Sequence, residues 1–282
     1  MNLKSNLRWL AVLLGTLAAA QAAPLLYVSD GSNISSIDPS NAAVLSTQAL
    51  SAPSLRAMTF SATGVLYGLF VPNGEEASLR TIDPNTGVVS FLDLNTGLFS
   101  PTGLAFNSSG SLFGLFDTEI FGLDPNTGAA ASSPSACGIF GQSLAFTADP
   151  SALFLAGLFP QQVALDGGSC SGSGSGSGFG TGDTGSGSGS GSGSAILSEL
   201  SAFTITNGTA FAIGRYTDGQ RALFSFDAST YTPNPVRTEL GPLDSSITSI
   251  AAMENTSFVP EPGSVVLLGV GVGAMLLLRR YR

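Results

Sequence analysis

The 282-residue chain contains no histidine, one lysine and one tryptophan. Lys4 and Trp9 both belong to the N-terminal segment. Without histidine there is no Ser-His or Cys-His pair and no imidazole metal ligand, and without a lysine in the body there is no Schiff-base amine or phosphate-loop lysine. These absences argue against most nucleophilic catalysis, so we predict no catalytic residues, no cofactor and no metal site.

Positive charge is scarce over the body of the chain. Between Ala23 and Pro262, five arginines stand against all 19 acidic residues, which gives a net charge of −14. Such a surface repels nucleic-acid phosphates and anionic polysaccharide. We therefore expect no nucleic-acid partner and interpret the charge as a source of solubility.

The N-terminus has the three parts of a secretory signal peptide. Lys4 and Arg8 precede an apolar run from Trp9 to Ala20, and Ala20-Gln21-Ala22 supplies a small-x-small cleavage pattern. We predict a signal peptide over residues 1–22, cleaved before Ala23. The alternative, a transmembrane anchor, requires roughly 20 apolar residues, about twice the length of this run.

Only two cysteines are present, Cys137 and Cys170, and they form no Cys-x-x-Cys motif. In an oxidising compartment a single pair favours a disulfide. Residues 167–194 form a Gly/Ser tract with too little apolar surface to bury, so we expect a flexible loop within the body. The tract is interpreted as a tolerated loop expansion or, alternatively, as a spacer or glycosylated loop.

Internal repetition is the strongest signal for the fold. The stretch VLYGLFVPNGEEASLRTIDPNTGVVSF, from Val65, is echoed by SLFGLFDTEIFGLDPNTGAAAS, from Ser111, and weaker copies begin near Leu25, Ala152 and Thr209. A period of about 40 to 45 residues with several short strands per unit is typical of β-propeller blades. One aspartate marks each unit: Asp38, Asp83, Asp124, Asp166 and Asp227.

These repeats predict an all-β propeller over residues 23–254, with five blades. The first unit lacks an inner strand, whereas SITSIAAM near the end of the body looks like an inner strand without the rest of its blade. We expect the two to pair and to close the ring, because closure removes exposed sheet edges. The units resemble the "LY…L..IDP.TG" repeats of secreted bacterial β-propeller proteins, a resemblance that implies fold and no catalytic residue.

Two repeated motifs have competing interpretations. In DPNTG the aspartate caps a turn, proline presets φ and glycine accepts a positive φ, although carboxylates gathered from several blades would instead suit calcium. The repeated Gly-Leu-Phe indicates packing between blades, with glycine allowing backbones to approach, and the alternative is ligand stacking.

A glycoside hydrolase remains the alternative function, since five-bladed propellers include enzymes of this class that work with paired carboxylates. No motif fixes which carboxylates would converge, and the mature chain lacks the tryptophan that usually stacks on sugars. The candidates are Asp30, Asp93, Asp117, Glu119 and Asp218.

The C-terminal 28 residues (255–282) contain VPEPG, an apolar helix predicted over residues 264–278, and a basic tail. This order resembles the PEP-CTERM sorting signal of Gram-negative bacteria, which is recognised by exosortase, a membrane-embedded cysteine protease. The resemblance implies that Pro260, Glu261, Pro262 and Gly263 form the processing motif. The arginines of the tail, which hold that end in the cytoplasm by the positive-inside rule, are Arg279, Arg280 and Arg282.

The sequence thus predicts an exported protein that is transiently anchored in the membrane and then released to the cell surface or extracellular matrix. Its expected role is that of an interaction or structural module, with exosortase as processing partner and exopolysaccharide or other surface proteins as further partners. The alternative to sorting is a plain single-span anchor, which leaves the Pro-Glu-Pro triplet unexplained.

Overall fold

The body of the protein is built entirely from short antiparallel strands. The computed structural model describes residues 24–132, 135–137, 143–146, 152–155, 161–164, 197–229 and 236–253. Within these ranges the helical structure is a single 3₁₀ turn, Pro72–Gly74, and no helix is long and apolar enough to cross a membrane. Pro24–Glu254 forms one compact unit. The predicted signal peptide and C-terminal helix lie outside the described residues.

The strands form five sheets, numbered here in chain order. Sheet 1 contains β1 (Leu25–Ser29), β2 (Asn33–Ile37) and β3 (Val44–Ala49), with β19 (Ser249–Met253) as its inner strand. Sheet 2 contains β4 (Leu55–Phe60), β5 (Leu66–Phe70), β6 (Ser78–Ile82) and β7 (Val89–Asn95). Sheet 3 contains β8 (Pro101–Phe106), β9 (Leu112–Phe116), β10 (Glu119–Leu123) and the short β11 (Ala136–Cys137).

The remaining two sheets differ in strand number. Sheet 4 has three strands in the described residues, β12 (Leu144–Phe146), β13 (Ala152–Leu155) and β14 (Gln161–Ala164). Sheet 5 contains β15 (Leu197–Thr206), β16 (Thr209–Tyr216), β17 (Arg221–Asp227) and β18 (Thr238–Leu243). Sheets 1, 2, 3 and 5 each have the four strands of a propeller blade.

The second strand of a sheet is apolar on both faces because it is covered on both. In β5, Leu66 and Phe70 pack against sheet 1, whereas Tyr67 and Leu69 pack against sheet 3. This is the two-residue alternation of a strand, with an apolar cluster on each side. The continuous apolar runs LYGLF and LFGLF are therefore buried strands, as the sequence predicts.

Five apolar clusters lie between consecutive sheets: 1 with 2, 2 with 3, 3 with 4, 4 with 5, and 5 with 1. The inner strands follow the same cycle, since β19, β4, β8, β12 and β15 each contact the next and β15 contacts β19 again. Radial sheets packed face to face around an axis make an all-β, propeller-like fold.

Sheet 1 is assembled from both ends of the body. Its inner strand β19 pairs antiparallel with β1, with Leu25 opposite Met253 and Ser29 opposite Ser249. The sequence predicts this pairing, and the structure confirms it.

The glycine of the Gly-Leu-Phe motif makes room for side chains rather than for a neighbouring backbone. A Cβ at Gly68 would lie 2.6 Å from Leu55 Cδ1 and 3.0 Å from the Phe70 ring, and one at Gly114 would collide with the ring of Phe116. The close backbone approach expected for this motif occurs instead at Gly103, whose Cβ would lie 2.9 Å from the Leu144 amide nitrogen of the next inner strand.

Candidate functional site

Each sheet has two ends with different connections. At one end, here called the turn end, turns join the first strand to the second and the third to the fourth. At the other, the connector end, loops join the second strand to the third, and links run from the outer strand of one sheet to the inner strand of the next.

The marker aspartates lie at the turn end and cap their own turns. Asp83 Oδ1 accepts a hydrogen bond from the Asn85 amide at 2.9 Å, and Oδ2 accepts one from Thr86 Oγ1 at 2.8 Å. The Gly87 amide donates to the Asp83 carbonyl at 2.8 Å, and Gly87 has a φ of 72°. Asp124 repeats this geometry with its own turn residues.

Local donors also engage the other described marker carboxylates. Ser40 donates to Asp38 Oδ1 from its amide at 2.8 Å and from its hydroxyl at 2.7 Å, and Ser229 does the same for Asp227. These hydrogen bonds lower the pKa of each aspartate below its usual value. The geometry is that of a turn cap, and the described residues hold no group of three or more acidic or cysteine side chains placed for a metal. Asp166 lies outside the described residues.

The carboxylates considered for glycoside hydrolysis come from the connector end of different sheets. Asp30 is in the β1–β2 loop, Asp117 and Glu119 are in and after the β9–β10 loop, and Asp218 is in the β16–β17 loop. No recorded hydrogen bond joins any two of them within the described ranges. Asp93 belongs to β7, and its side chain is not among those described.

Asp30 is committed to its own loop. Its Oδ1 accepts from the amides of Ser32 and Asn33 at 2.8 and 2.7 Å, and its Oδ2 accepts from Asn33 Nδ2 at 2.8 Å. Burial acts to raise the pKa of Asp30, but these hydrogen bonds outweigh it and the pKa is lowered. Asp244, in the β18–β19 connector, lies close enough for the Asp30 charge to act on its pKa. This proximity has no sequence signal, since the two are at opposite ends of the body.

Three inner strands share an irregularity in strand pairing near their first residues. Pairing shifts by one residue between Leu55 and Ala57 in β4, so Arg56 is an extra, bulged residue. The same shift makes Thr102 the extra residue in β8 and Ser201 the extra residue in β15. Bulges of this kind re-aim a side chain and are common beside binding sites. Arg56 is exposed, and the Thr102 hydroxyl is buried with no hydrogen-bond partner within the described residues.

Two of these bulges follow a residue in the left-handed region of backbone space. Ser54 has a φ of 74° and Ser100 a φ of 54°, each two residues before the bulged position. Their carbonyls accept equivalent hydrogen bonds, from the Val71 amide at 3.1 Å and the Asp117 amide at 3.3 Å. Non-glycine residues in this region are strained, and such strain persists where the surrounding structure imposes it.

Sheet 5 has a cluster of charged side chains at its connector end. Arg215 lies directly opposite Arg221 across β16 and β17, and its Nη1 is 3.5 Å from Glu199 Oε1 on β15. Burial lowers the pKa of the Arg221 guanidinium, whose Nε and Nη1 are buried without a recorded hydrogen-bond partner. On the same sheet, the Tyr216 hydroxyl donates to Glu239 Oε2 at 2.5 Å, and burial followed by this interaction raises the pKa of Tyr216 to about 12.

Several predicted site residues lie outside the described residues. Cys137 is in β11, but its predicted partner Cys170 is beyond the described ranges. The others are the cleavage residues Ala20, Ala22 and Ala23, the motif Pro260, Glu261, Pro262 and Gly263, and the tail arginines Arg279, Arg280 and Arg282.

Comparison with known proteins gives only distant structural similarity. No protein-family model and no curated protein matches the chain. A chain of a nidogen/laminin complex is similar at 11% identity and a TM-score of 0.49, covering 82% of this chain and 98% of that one. A protein of unknown function from Bacteroides caccae is similar at 13% identity and a TM-score of 0.47, covering 83% and 100%.

The PQQ-bound aldose sugar dehydrogenase of Streptomyces coelicolor is similar at 16% identity and a TM-score of 0.46, covering 82% of this chain and 86% of the enzyme. At these identities and TM-scores, nothing about activity, ligand or partner follows for this chain.

Proposed function

We propose that the protein is an exported interaction module of the cell surface or extracellular matrix, sorted by exosortase through its C-terminus. The observation that carries this proposal is the order of three features in residues 255–282: the Pro-Glu-Pro triplet, an apolar run and a basic tail. The apolar run holds the chain in the membrane, and the tail keeps the last residues in the cytoplasm. The body is thereby presented on the outer side, where the signal peptide delivers it.

The proposed body is a closed propeller of five blades. Sheet 4 supplies the fifth blade, and its three described strands occupy the place of a blade between sheets 3 and 5. The cycle of inner-strand contacts and the five apolar clusters support this number. A ring without free inner edges provides a stable platform for loops that bind a partner.

The connector end is the proposed binding face. Ser54, Ser100 and Asp117 lie there with positive φ, next to the exposed Arg56, whereas the described marker aspartates of the turn end are engaged in capping. Exopolysaccharide and other surface proteins are the proposed partner classes. Nucleic acid is not proposed, because residues 23–262 carry a net charge of −14.

The role is proposed to be non-enzymatic. A glycosidase needs two carboxyl groups roughly 5 to 9.5 Å apart across one substrate bond. Asp30 is tied into its own loop, and Asp117 and Asp218 belong to separate sheets. The alternative is tested by incubating the purified protein with polysaccharides. If reducing ends are released, and a single Asp or Glu substitution abolishes the release, the protein is a glycoside hydrolase rather than a binding module.

Sorting is tested by deleting exosortase in the host and measuring the mass of the protein in each fraction. We expect the full-length form, with Arg282 intact, to accumulate in the inner membrane of the deletion strain. Replacing Pro260, Glu261 and Pro262 together by alanine should give the same result in the parent strain, and Glu254→Ala, outside the motif, should be processed normally. Unchanged processing in the deletion strain would refute sorting.

A further inference from the structure

At the start of four inner strands, one residue is less buried than the residue on either side of it. On β4, Arg56 lies between the buried Leu55 and Ala57, and on β15, Ser201 lies between the buried Leu200 and Ala202. Thr102 on β8 and Thr248, immediately before β19, are likewise more exposed than their two neighbours. We call these four residues, Arg56, Thr102, Ser201 and Thr248, the axial ring.

The strand register shows that these positions are equivalent. In sheet 2, Leu66 of the second strand faces Ile82, the residue before the marker Asp83, and Leu69, three residues further on, faces Ala57. The same spacing from the marker turn locates the residue after the ring position in the other three sheets. The pairs are Ala57 with Leu69, Gly103 with Leu115, Ala202 with Ile213 and Ser249 with Ser29.

The bulge explains why Arg56 and Ser201 point away from both neighbouring sheets. In a regular strand, Leu55 and Ala57 would face the same side. Instead, Leu55 packs in the cluster with sheet 1 and Ala57 in the cluster with sheet 3. On β15, Leu200 and Ala202 are divided between two clusters in the same way. The extra residue between them, Arg56 or Ser201, faces neither sheet, so the remaining direction is the axis around which the inner strands are arranged.

Two arginines are exposed in the described residues, Arg56 and Arg215, and of these two only Arg215 has an ion-pair partner there. Arg80 lies over the Phe70 ring at 5.3 Å and donates to Ser78, and Arg215 is paired with Glu199. Arg56 has no hydrogen bond and no ion pair within the described residues. A guanidinium has five N–H donors in a planar fork that matches a carboxylate. Its neighbours in the ring are all hydroxyl residues.

From this arrangement we propose that the axial ring binds a small carboxylate that also carries hydroxyl groups, such as a single sugar-acid unit. Arg56 donates paired N–H···O bonds to the carboxylate. The hydroxyls of Ser201 and Thr248 donate to the main-chain carbonyls of Ile213 and Ser29, each at 3.4 Å, so they accept hydrogen bonds from the hydroxyl groups of the ligand. The proposal deepens the proposed function, because it names a ligand class for the connector end.

Charge limits the ligand to one such unit at a time. A long polyanion would meet the net charge of −14 that residues 23–262 carry. A single negative charge held directly by Arg56 is compatible with that charge.

The test is calorimetric titration of the purified full chain with glucuronate, acetate and glucose. We expect saturable binding of glucuronate, with acetate and glucose each at least about tenfold weaker, because each lacks half of the matching groups. Arg56→Gln should weaken glucuronate binding at least about tenfold, and raising the ionic strength should weaken it in the parent protein. Thr248→Val should weaken glucuronate more than acetate.

Arg215→Gln is the matched control, since it removes the same charge away from the ring, and it should bind glucuronate as the parent does. Thermal unfolding of each variant verifies that it is folded. Absence of saturable glucuronate binding in the parent, or equal binding by folded Arg56→Gln, would overturn the proposal. Neither result bears on exosortase processing, so the two proposals fail separately.

Discussion

At the scale of single residues, the marker aspartates show how much a repeated motif reveals. DPNTG predicts a turn because each of its residues has a defined backbone role, and the structure places Asp83 and Asp124 at such turns with their oxygens bonded to turn donors. Arg56 has no comparable sequence signal. Its orientation results from a bulge that interrupts the two-residue alternation, and a bulge cannot be read from one strand without its partner.

The turn aspartates make stability depend on pH in the acid range. Their pKa values are lower in the folded protein than the value near 3.9 of an unfolded chain, so their contribution is present above about pH 4 and is lost as pH falls through the folded values. We expect Asp83→Asn to be less stable than the parent at pH 7 and to approach it in stability near pH 2. On acid unfolding, Asp83→Asn should take up at most about one proton fewer than the parent protein does.

Urea unfolding at several pH values measures this difference. Asp117→Asn is the control, because no recorded hydrogen bond within the described residues reaches the Asp117 carboxylate. The capping role would be contradicted if the difference in unfolding free energy between the parent and Asp83→Asn stayed constant across the whole pH range.

At the scale of elements, the strands of sheets 2 and 3 follow from the repeats because apolar runs and turn signals coincide there. Sheet 4 has only weak repeats, and its described strands are correspondingly short. The two-residue β11 was not foreseeable either, since the stretch after the third marker turn lacks the alternating pattern of an outer strand. Packing partners, rather than local propensity, decide the extent of such strands.

Two strand glycines of sheet 3 give a matched test of the packing interpretation. Gly114→Ala should destabilise the protein by about 1 to 3 kcal/mol, because the new methyl group collides with the buried Phe116 ring. Gly122→Ala should be neutral or slightly stabilising, since the nearest atom to its Cβ is Ser135 Oγ at 4.0 Å. Chemical denaturation of both variants measures the contrast, and equal effects would contradict it.

The turn glycines allow a second comparison. Gly87 and Gly110 both have positive φ, 72° and 82°, but only a Cβ at Gly87 would collide with a backbone atom, the Ala49 carbonyl oxygen of the preceding sheet. Gly110→Ala should therefore cost about 1 kcal/mol through φ strain alone. Gly87→Ala should cost clearly more, because it also disturbs the hydrogen bond from the Ser51 amide to the Gly87 carbonyl. Thermal unfolding midpoints that agree within error would show that the turn does not dock on sheet 1.

At the scale of the whole molecule, the architecture was more predictable than the site. A period near 40 residues and an unmatched strand at each end of the body predict a ring closed by β1 and β19, and this pairing is present. The axial ring depends on register between strands from four sheets, which a single sequence does not encode in any local pattern. Asp30 comes close enough to Asp244 to act on its pKa for the same reason, through closure of the ring.

Closure should be required for cooperative folding. A chain ending after Asp244 lacks β19, so Leu26 and Ile37 lose Ile247 and Ile250 from their cluster. Removing such buried side chains costs about 2 to 5 kcal/mol each, which approaches the stability of a typical domain. We expect this truncation to abolish the cooperative unfolding transition, whereas a chain ending after Glu254 should keep it. Circular dichroism during urea unfolding distinguishes the two, and a cooperative transition in the shorter chain would contradict the prediction.

The pairing of β1 with β19 also distinguishes a fully translated body from a shortened one. The Thr248 amide donates a hydrogen bond at 2.8 Å to the carbonyl of Ser29, which lies 219 positions earlier in the sequence. A chain made from its N-terminus forms β1 among its first strands but cannot cover the inner edge of that strand until the last strand of the body has been synthesised. A prematurely terminated chain keeps this edge open to proteases and to other chains. Only molecules translated as far as Met253 hide it, so ring closure separates finished molecules from fragments.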